Sequence, residues 1–213
     1  IGLLPRAIAR LTANHPGLKI NLRVATSEGM MQDVIAGRLD TAMVAENSVS
    51  SRELLWRPFI SEPLVVIAPP GTTERRVEEI LVSHPYVRFR ANVPLARLIE
   101  TELGRMNLPL NDIAEMDTIA AITACVVNGL GVSVVPRIAV IDAGQDMLCL
   151  PFGDPPTYRQ IGLIQRQKSP RAALIDEFHD HLAAERLAGA FGQRPHHRVG
   201  GAHQPPPRLQ LHL

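Results

Sequence analysis

Two short polar steps stand where an apolar extended run gives way to a helical one: Thr26-Ser27 after a run ending at Val24, and Asp117-Thr118 after a run ending at Met116. A hydroxyl at a helix start accepts a hydrogen bond from a first-turn backbone N–H, and the remaining first-turn donors, aligned with the helix dipole, favour an anion. Ser27 is the expected N-cap of a helix over 28–36, and Thr118 stands at the start of the second helix. A third step, Arg88 to Pro94, leads from an extended run into a helix beginning near Leu95, with Pro94 suited to the first helical position. Arg88 and Arg90 alternate and so share one strand face, either as ordinary solvated residues or as partners for a carboxylate. Asp117 argues against a purely anionic pocket; it suits a hydroxyl or an amine, or simply favours its helix start. Each hydroxyl also reads as a plain cap, and the two roles are compatible.

This is the chemistry of recognition rather than of bond making. The sequence has no G-x-S-x-G elbow, no phosphate-cradling glycine loop, no H-E-x-x-H and no close His/carboxylate pair at a strand end, so no enzyme is expected. Cys125 and Cys149 lie in the apolar runs ITACVV and MLCLPF without metal or redox spacing, and read as buried, reduced thiols. A redox switch would need an electropositive neighbourhood, which the sequence does not offer. His196, His197, His203 and His212 fit no recognised metal spacing, and neither a metal nor a cofactor is expected.

The elements that must position these steps follow from periodicity. Leu3, Leu4, Ala7, Ile8 and Leu11 recur at helical spacing, and Asn14-His15-Pro16-Gly17 supplies the stop. Ile20, Leu22 and Val24 alternate with polar residues, as a strand with one buried face does. Met30 to Ile35 returns to helical spacing, and Leu39 to Val44 reads as a buried strand, which makes a βαβ unit with parallel strands. Leu54–Phe59 and Leu64–Ala68 are further strands. A second βα series follows: helix Arg75–Ser83, strand Tyr86–Arg90, helix from Leu95 to Met106, strand Ile113–Met116, helix Ile119–Val127 and strand Val132–Val135. The chain returns through Met147–Phe152 and Ile161–Gln165 and ends in a helix from about Arg171 to Ala188. The plan strand, polar cap, helix, glycine, buried strand occurs twice, which suggests two similar lobes. Lobe I takes 1–68 and 146–189, and lobe II takes 69–145. Leu64–Ala68 and Met147–Phe152 cross between them, and two crossings make a hinge with a cleft. Residues 190–213, with three consecutive prolines and no apolar periodicity, read as a disordered tail.

Composition agrees with a globular α/β chain: 213 residues, 46% hydrophobic, 20% charged and only 4% aromatic, so the core is aliphatic. The formal net charge is +1 and no basic stripe forms before Glu185, so this piece is not expected to bind DNA alone. No run approaches a membrane span and no signal-peptide pattern opens the chain, which therefore reads as cytoplasmic, without membrane association.

Four segments then become specific: GLLPRAIARLTANHPGLKINL, AGRLDTAMV, Pro58-Phe59 with EPLVVIAPP, and NGLGVSVVP. In order and spacing they resemble the effector-binding domain of LysR-type transcription regulators, over roughly Gly2 to Leu187. The resemblance implies an α/β fold of two Rossmann-like lobes joined by two crossing strands, of the type II periplasmic-binding-protein kind. It places Ser27, Val93, Pro94, Thr118 and Ile119 at the family's effector cleft, beside Thr26, Arg88, Arg90 and Asp117 from the reading above. It also implies a small-molecule effector, a homodimer or homotetramer, and DNA contact only through an N-terminal winged helix-turn-helix. That head and the domain's first strand, which in the family precede the Ile1–Pro5 segment, are not in this sequence. The effector is expected to be a small metabolite, with a carboxylate first among the classes. The alternative on the same fold is a periplasmic solute-binding protein of an ABC-type transporter.

Overall fold

The computed structural model describes residues 3–45 and 51–190, with side chains through Glu185. Its first helix, α1 (Leu3–Asn14), buries Ala7 and Leu11 on the stripe that the periodicity marks. Helix α2 (Ser27–Ile35) follows, and then strand β1 (Thr41–Ala45). The expected strand at Ile20–Val24 does not form: the segment has no ladder to any described strand, and Ile20, Leu22 and Val24 are exposed, Val24 almost fully. Alternation selects a strand only where a partner strand offers donors and acceptors and a core covers one face. The described residues supply neither here, so the expected parallel βαβ pair is absent.

The two strands expected at 54–68 are one, β2 (Leu54–Ala68), with a register shift between Pro58 and Ile60. Its first part pairs antiparallel with β7 (Tyr158–Arg166), which pairs antiparallel with β1. Its last part is flanked by β5 (Ser133–Pro136) and β6 (Leu148–Pro151), both antiparallel. The bulge at Phe59 increases local twist, which lets one continuous strand serve both ends of the molecule.

Beyond β2 run α3 (Val77–Ser83), β3 (Pro85–Phe89), α4 (Pro94–Met106), β4 (Asn111–Met116) and α5 (Ile119–Val127). Strands β3 and β4 are parallel, and Tyr86 bridges in parallel to Val132, as helical crossovers require. The glycines of NGLGVSVVP have distinct reasons. Gly129 has φ +80° just past α5, a conformation that costs other residues strain, whereas a Cβ at Gly131 would sit 2.2 Å from the Pro85 carbonyl oxygen. Only glycine lets that segment close on β3. Helix α6 (Arg137–Ala143), which the sequence reading does not anticipate, follows β5, and α7 (Ala172–Ala190) closes the described chain. The tail beyond Ala190 lies outside the described residues.

Apolar burial divides into a large cluster and two small ones. The large cluster joins α3, α4, α5 and β3 to β5, and it takes in Leu64–Ala68 and Phe152. A second packs α1 and α7 on one side of the first sheet through Ala7, Phe59, Leu163, Ile175 and Leu182. A third packs α2 on Val44, Leu54 and Ile164, with Trp56 against it.

Candidate functional site

The polar steps do fall at helix starts. Thr26 is the N-cap of α2, its hydroxyl accepting from the Gly29 N–H at 3.3 Å. Ser27 is therefore the first helical residue, not the cap: Thr26 keeps extended backbone and takes the capping role one position earlier than the sequence reading places it. Thr118 caps α5, accepting from the Ala121 N–H at 3.3 Å. Val93 precedes α4 without a side-chain cap, and Pro94 holds its first position. Asp117 is exposed.

The two arginines already have partners within the chain. The Arg88 Nε and Nη2 donate to Asp112 at 2.9 Å each, and its Nη1 donates to Glu100 at 2.6 and 2.7 Å. Burial opposes its charge, but the hydrogen bonds and charges of Asp112 and Glu100 outweigh that and raise its pKa. Arg90 pairs with Glu115 at 2.7 Å and is exposed. These pairs tie β3 to β4 and α4, and the Arg88 guanidinium is held by two carboxylates.

The concave feature lies between the large cluster and the first sheet. It is a cavity of about 620 Å³, within the range of small-molecule sites. From one side come Leu3 and Leu4 of α1, Met43, and Phe59 and Ile161 of the sheet; from the other, the first turns of α4 and α5 at Leu95 and Ile119, and α6. Thr123, Ala124 and Val127 continue the α5 wall at helical spacing. Of the nine residues expected at the site, Ile119 alone is in this wall.

Three charged residues that the sequence reading missed stand in it: Glu62, Arg159 and Asp142. Glu62, 2% exposed, accepts from the backbone N–H of Ile138 at 3.2 Å and from Arg159 Nε at 2.6 Å. One carboxylate thereby ties β2 to β7 and satisfies a first-turn donor of α6. Its sequence signal was a lone acid inside the apolar run FISEPLVVIA, where ordinary strand patterning predicts none. The remaining polar lining residues are Thr123, Asn128 and Gln145. The Thr123 hydroxyl donates to the Ile119 carbonyl, and the Asn128 amide to that of Ala124.

Both cysteines are free and half-buried, and burial pushes the Cys149 thiol up. Among the described residues no group of His, Cys, Asp and Glu is arranged to hold a metal, and no helix is long and apolar enough to cross a membrane.

A cavity walled by two packed units of one α/β chain, with helix starts at its rim, defines a small-molecule-binding domain of the periplasmic-binding-protein-like class. The chain belongs to the LysR substrate binding domain family, whose model matches residues 1–186. It is 32% identical over 144 residues to the uncharacterized HTH-type transcriptional regulator YeiE of Escherichia coli K12, covering 66% of this chain and 48% of that protein. It is 23% identical over 196 residues to the HTH-type transcriptional activator CmpR of Synechocystis, covering 89% and 64%. The chain thus spans about half to two thirds of the length of these curated relatives. Among solved structures, the reduced form of OxyR from N. meningitidis superposes with a TM-score of 0.71 at 21% identity, over 88% of this chain and 91% of that one. The reduced form of the OxyR regulatory domain from Pseudomonas aeruginosa gives 0.69 at 20% identity, over 85% and 91%. At such identities the likeness is one of fold.

Proposed function

We propose that this chain is the effector-sensing domain of a DNA-binding transcription regulator, and that a small metabolite occupies the cavity between the α5–α6 wall and the first sheet. The carrying observation is the cavity itself, whose walls come from both packed units. A ligand that touches both units more fully in one relative arrangement shifts the population toward it. The head that holds DNA belongs to the part of the relatives this chain does not span, and a homodimer or homotetramer would pass the change to it. Relatives that are transcription regulators support this reading over a solute-binding protein of a transporter, and they fit a protein that binds without turnover.

A thermal-shift screen of small organic acids, amino acids and neutral analogues tests it. A ligand of the folded state raises stability by about 2.7 kcal/mol at a hundred times its Kd. Ala124→Trp adds bulk to the wall from an exposed helix position, so a hit should vanish in that variant at unchanged unliganded stability. A hit that survives the substitution places the ligand elsewhere. Ser27→Ala and Thr118→Val report separately on the helix starts: a ligand gripped there loses affinity in one or both.

A further inference from the structure

Among the polar groups lining the cavity, the Arg159 guanidinium keeps the most donors without a protein partner among the described residues. Both oxygens of Glu62 accept hydrogen bonds, one from the Ile138 N–H and one from Arg159. Thr123 and Asn128 each donate to a carbonyl of their own helix. Asp142 has an interaction of its own, and Gln145 is exposed, where water serves its amide. The Arg159 guanidinium carries five N–H donors, of which Nε alone is engaged among the described residues. The Arg159 side chain is 17% exposed and lines the cavity. Its terminal nitrogens are not among the buried side-chain atoms left without a partner, so water reaches them, and an anionic acceptor arriving there exchanges that water for a charge-assisted pair. The buried Glu62 fixes the guanidinium by one edge, so its terminal nitrogens present a preorganised fork that matches a carboxylate.

We infer that Arg159 is the anchor of the effector's anionic group, and that the effector is a small monocarboxylate with an apolar body and no ammonium group. The inference rests on the reading of this cavity as the effector site. The body follows from the wall: Leu95, Ile119, Ile138, Phe59 and Ile161 offer apolar contact and few hydrogen bonds. An α-amino acid is disfavoured because its ammonium would give up water for a lining that is mostly apolar, with Glu62 already shared between the Ile138 N–H and Arg159. A phosphate dianion is disfavoured because a single guanidinium, already shared with Glu62, faces a mostly apolar lining. The anion thus sits on a strand arginine rather than on the helix starts.

The test is titration calorimetry and thermal shift on this chain with hexanoate, cyclohexanecarboxylate and 3-phenylpropanoate. Each is compared with its own primary amide, and the last also with phenylalanine. At least one acid is expected to bind at least tenfold more tightly than its amide. Phenylalanine should bind more weakly than 3-phenylpropanoate. Arg159→Gln should bring the acid down to the level of the amide, with Arg159→Lys between. The comparison of acid with amide in the unsubstituted chain needs no variant, so it decides even if Arg159→Gln fails to fold around the orphaned Glu62. Amides that bind as well as their acids, or an acid undiminished in a folded Arg159→Gln chain, overturn the anchor and leave the cavity as the site. Binding of acid and amide alike unaffected by Ala124→Trp, or no binding by any compound, overturns both.

Discussion

Glu62 and Arg159 show how a single pair can serve both fold and site. Removing one member of a buried pair leaves an uncompensated charge or an unsatisfied donor, which costs about 3–5 kcal/mol. Glu62→Ala should therefore lower the unfolding free energy in urea by that amount, because it frees both the Ile138 N–H and the Arg159 Nε. Glu62→Gln should cost distinctly less, since its carbonyl oxygen can still accept from one of them. Equal losses for the two variants would mean that packing volume, and not the polar tie, is what matters there. Cys149 makes the contrasting case. Burial raises its pKa, and a thiol held protonated is a poor nucleophile. Alkylation by iodoacetamide, followed by mass spectrometry, should be slower at Cys149 than at a free cysteine at pH 7 and should accelerate only on the alkaline side. Rapid neutral-pH labelling would reopen the thiol-switch reading that the sequence left as an alternative.

At the scale of elements, α1 is held to α7 by Glu177, which accepts from the Asn14 amide at 2.8 Å and pairs with His15 at 2.8 Å. Those two hydrogen bonds, with a smaller contribution from His181, lower its pKa from 4.5 to about 2. The folded value lies below the unfolded one, so this stabilising contribution is complete above about pH 4.5 and is lost as pH falls toward 2. Urea midpoints measured from pH 6 to pH 2 should fall less steeply in Glu177→Gln than in the unsubstituted chain within that window. Parallel curves would show that the carboxylate contributes nothing to the contact. The same helices were legible in the sequence, and for a physical reason: Leu3, Ala7 and Leu11 mark a stripe that needs only a surface to bury against. Helix α5 was bounded correctly because Thr118 and Gly129 punctuate it. The strand at Ile20–Val24 was misread because alternation reports a preference whose satisfaction depends on a neighbour distant in sequence. The site was only partly legible for a related reason. Caps are local and Thr118 was found, whereas Arg159 reaches Glu62 across 97 positions. Arg88 looked available only because Glu100 and Asp112, which bind it, lie on other elements.

At the scale of the whole molecule, stability is unevenly distributed. The large cluster holds twenty buried apolar residues among those described, against five in each cluster of the first sheet. On that side Leu22 and Val24 stay exposed, and β1 pairs with β7 alone among the described strands. Apolar burial is the dominant favourable contribution to folding, so the first-sheet unit should open at lower free energy than the unit built on α3 to α5. Trp56, the single tryptophan, packs against a first-sheet cluster and reports on it selectively. Unliganded, the urea midpoint from its fluorescence should lie below the midpoint from far-ultraviolet circular dichroism, which averages over both units. A ligand in the cavity contacts both walls and couples the two openings, so the two midpoints should converge as it is added, with the fluorescence midpoint moving further. Coincident transitions without ligand would show a single cooperative unit. A ligand would then raise the two midpoints together, with no convergence to observe.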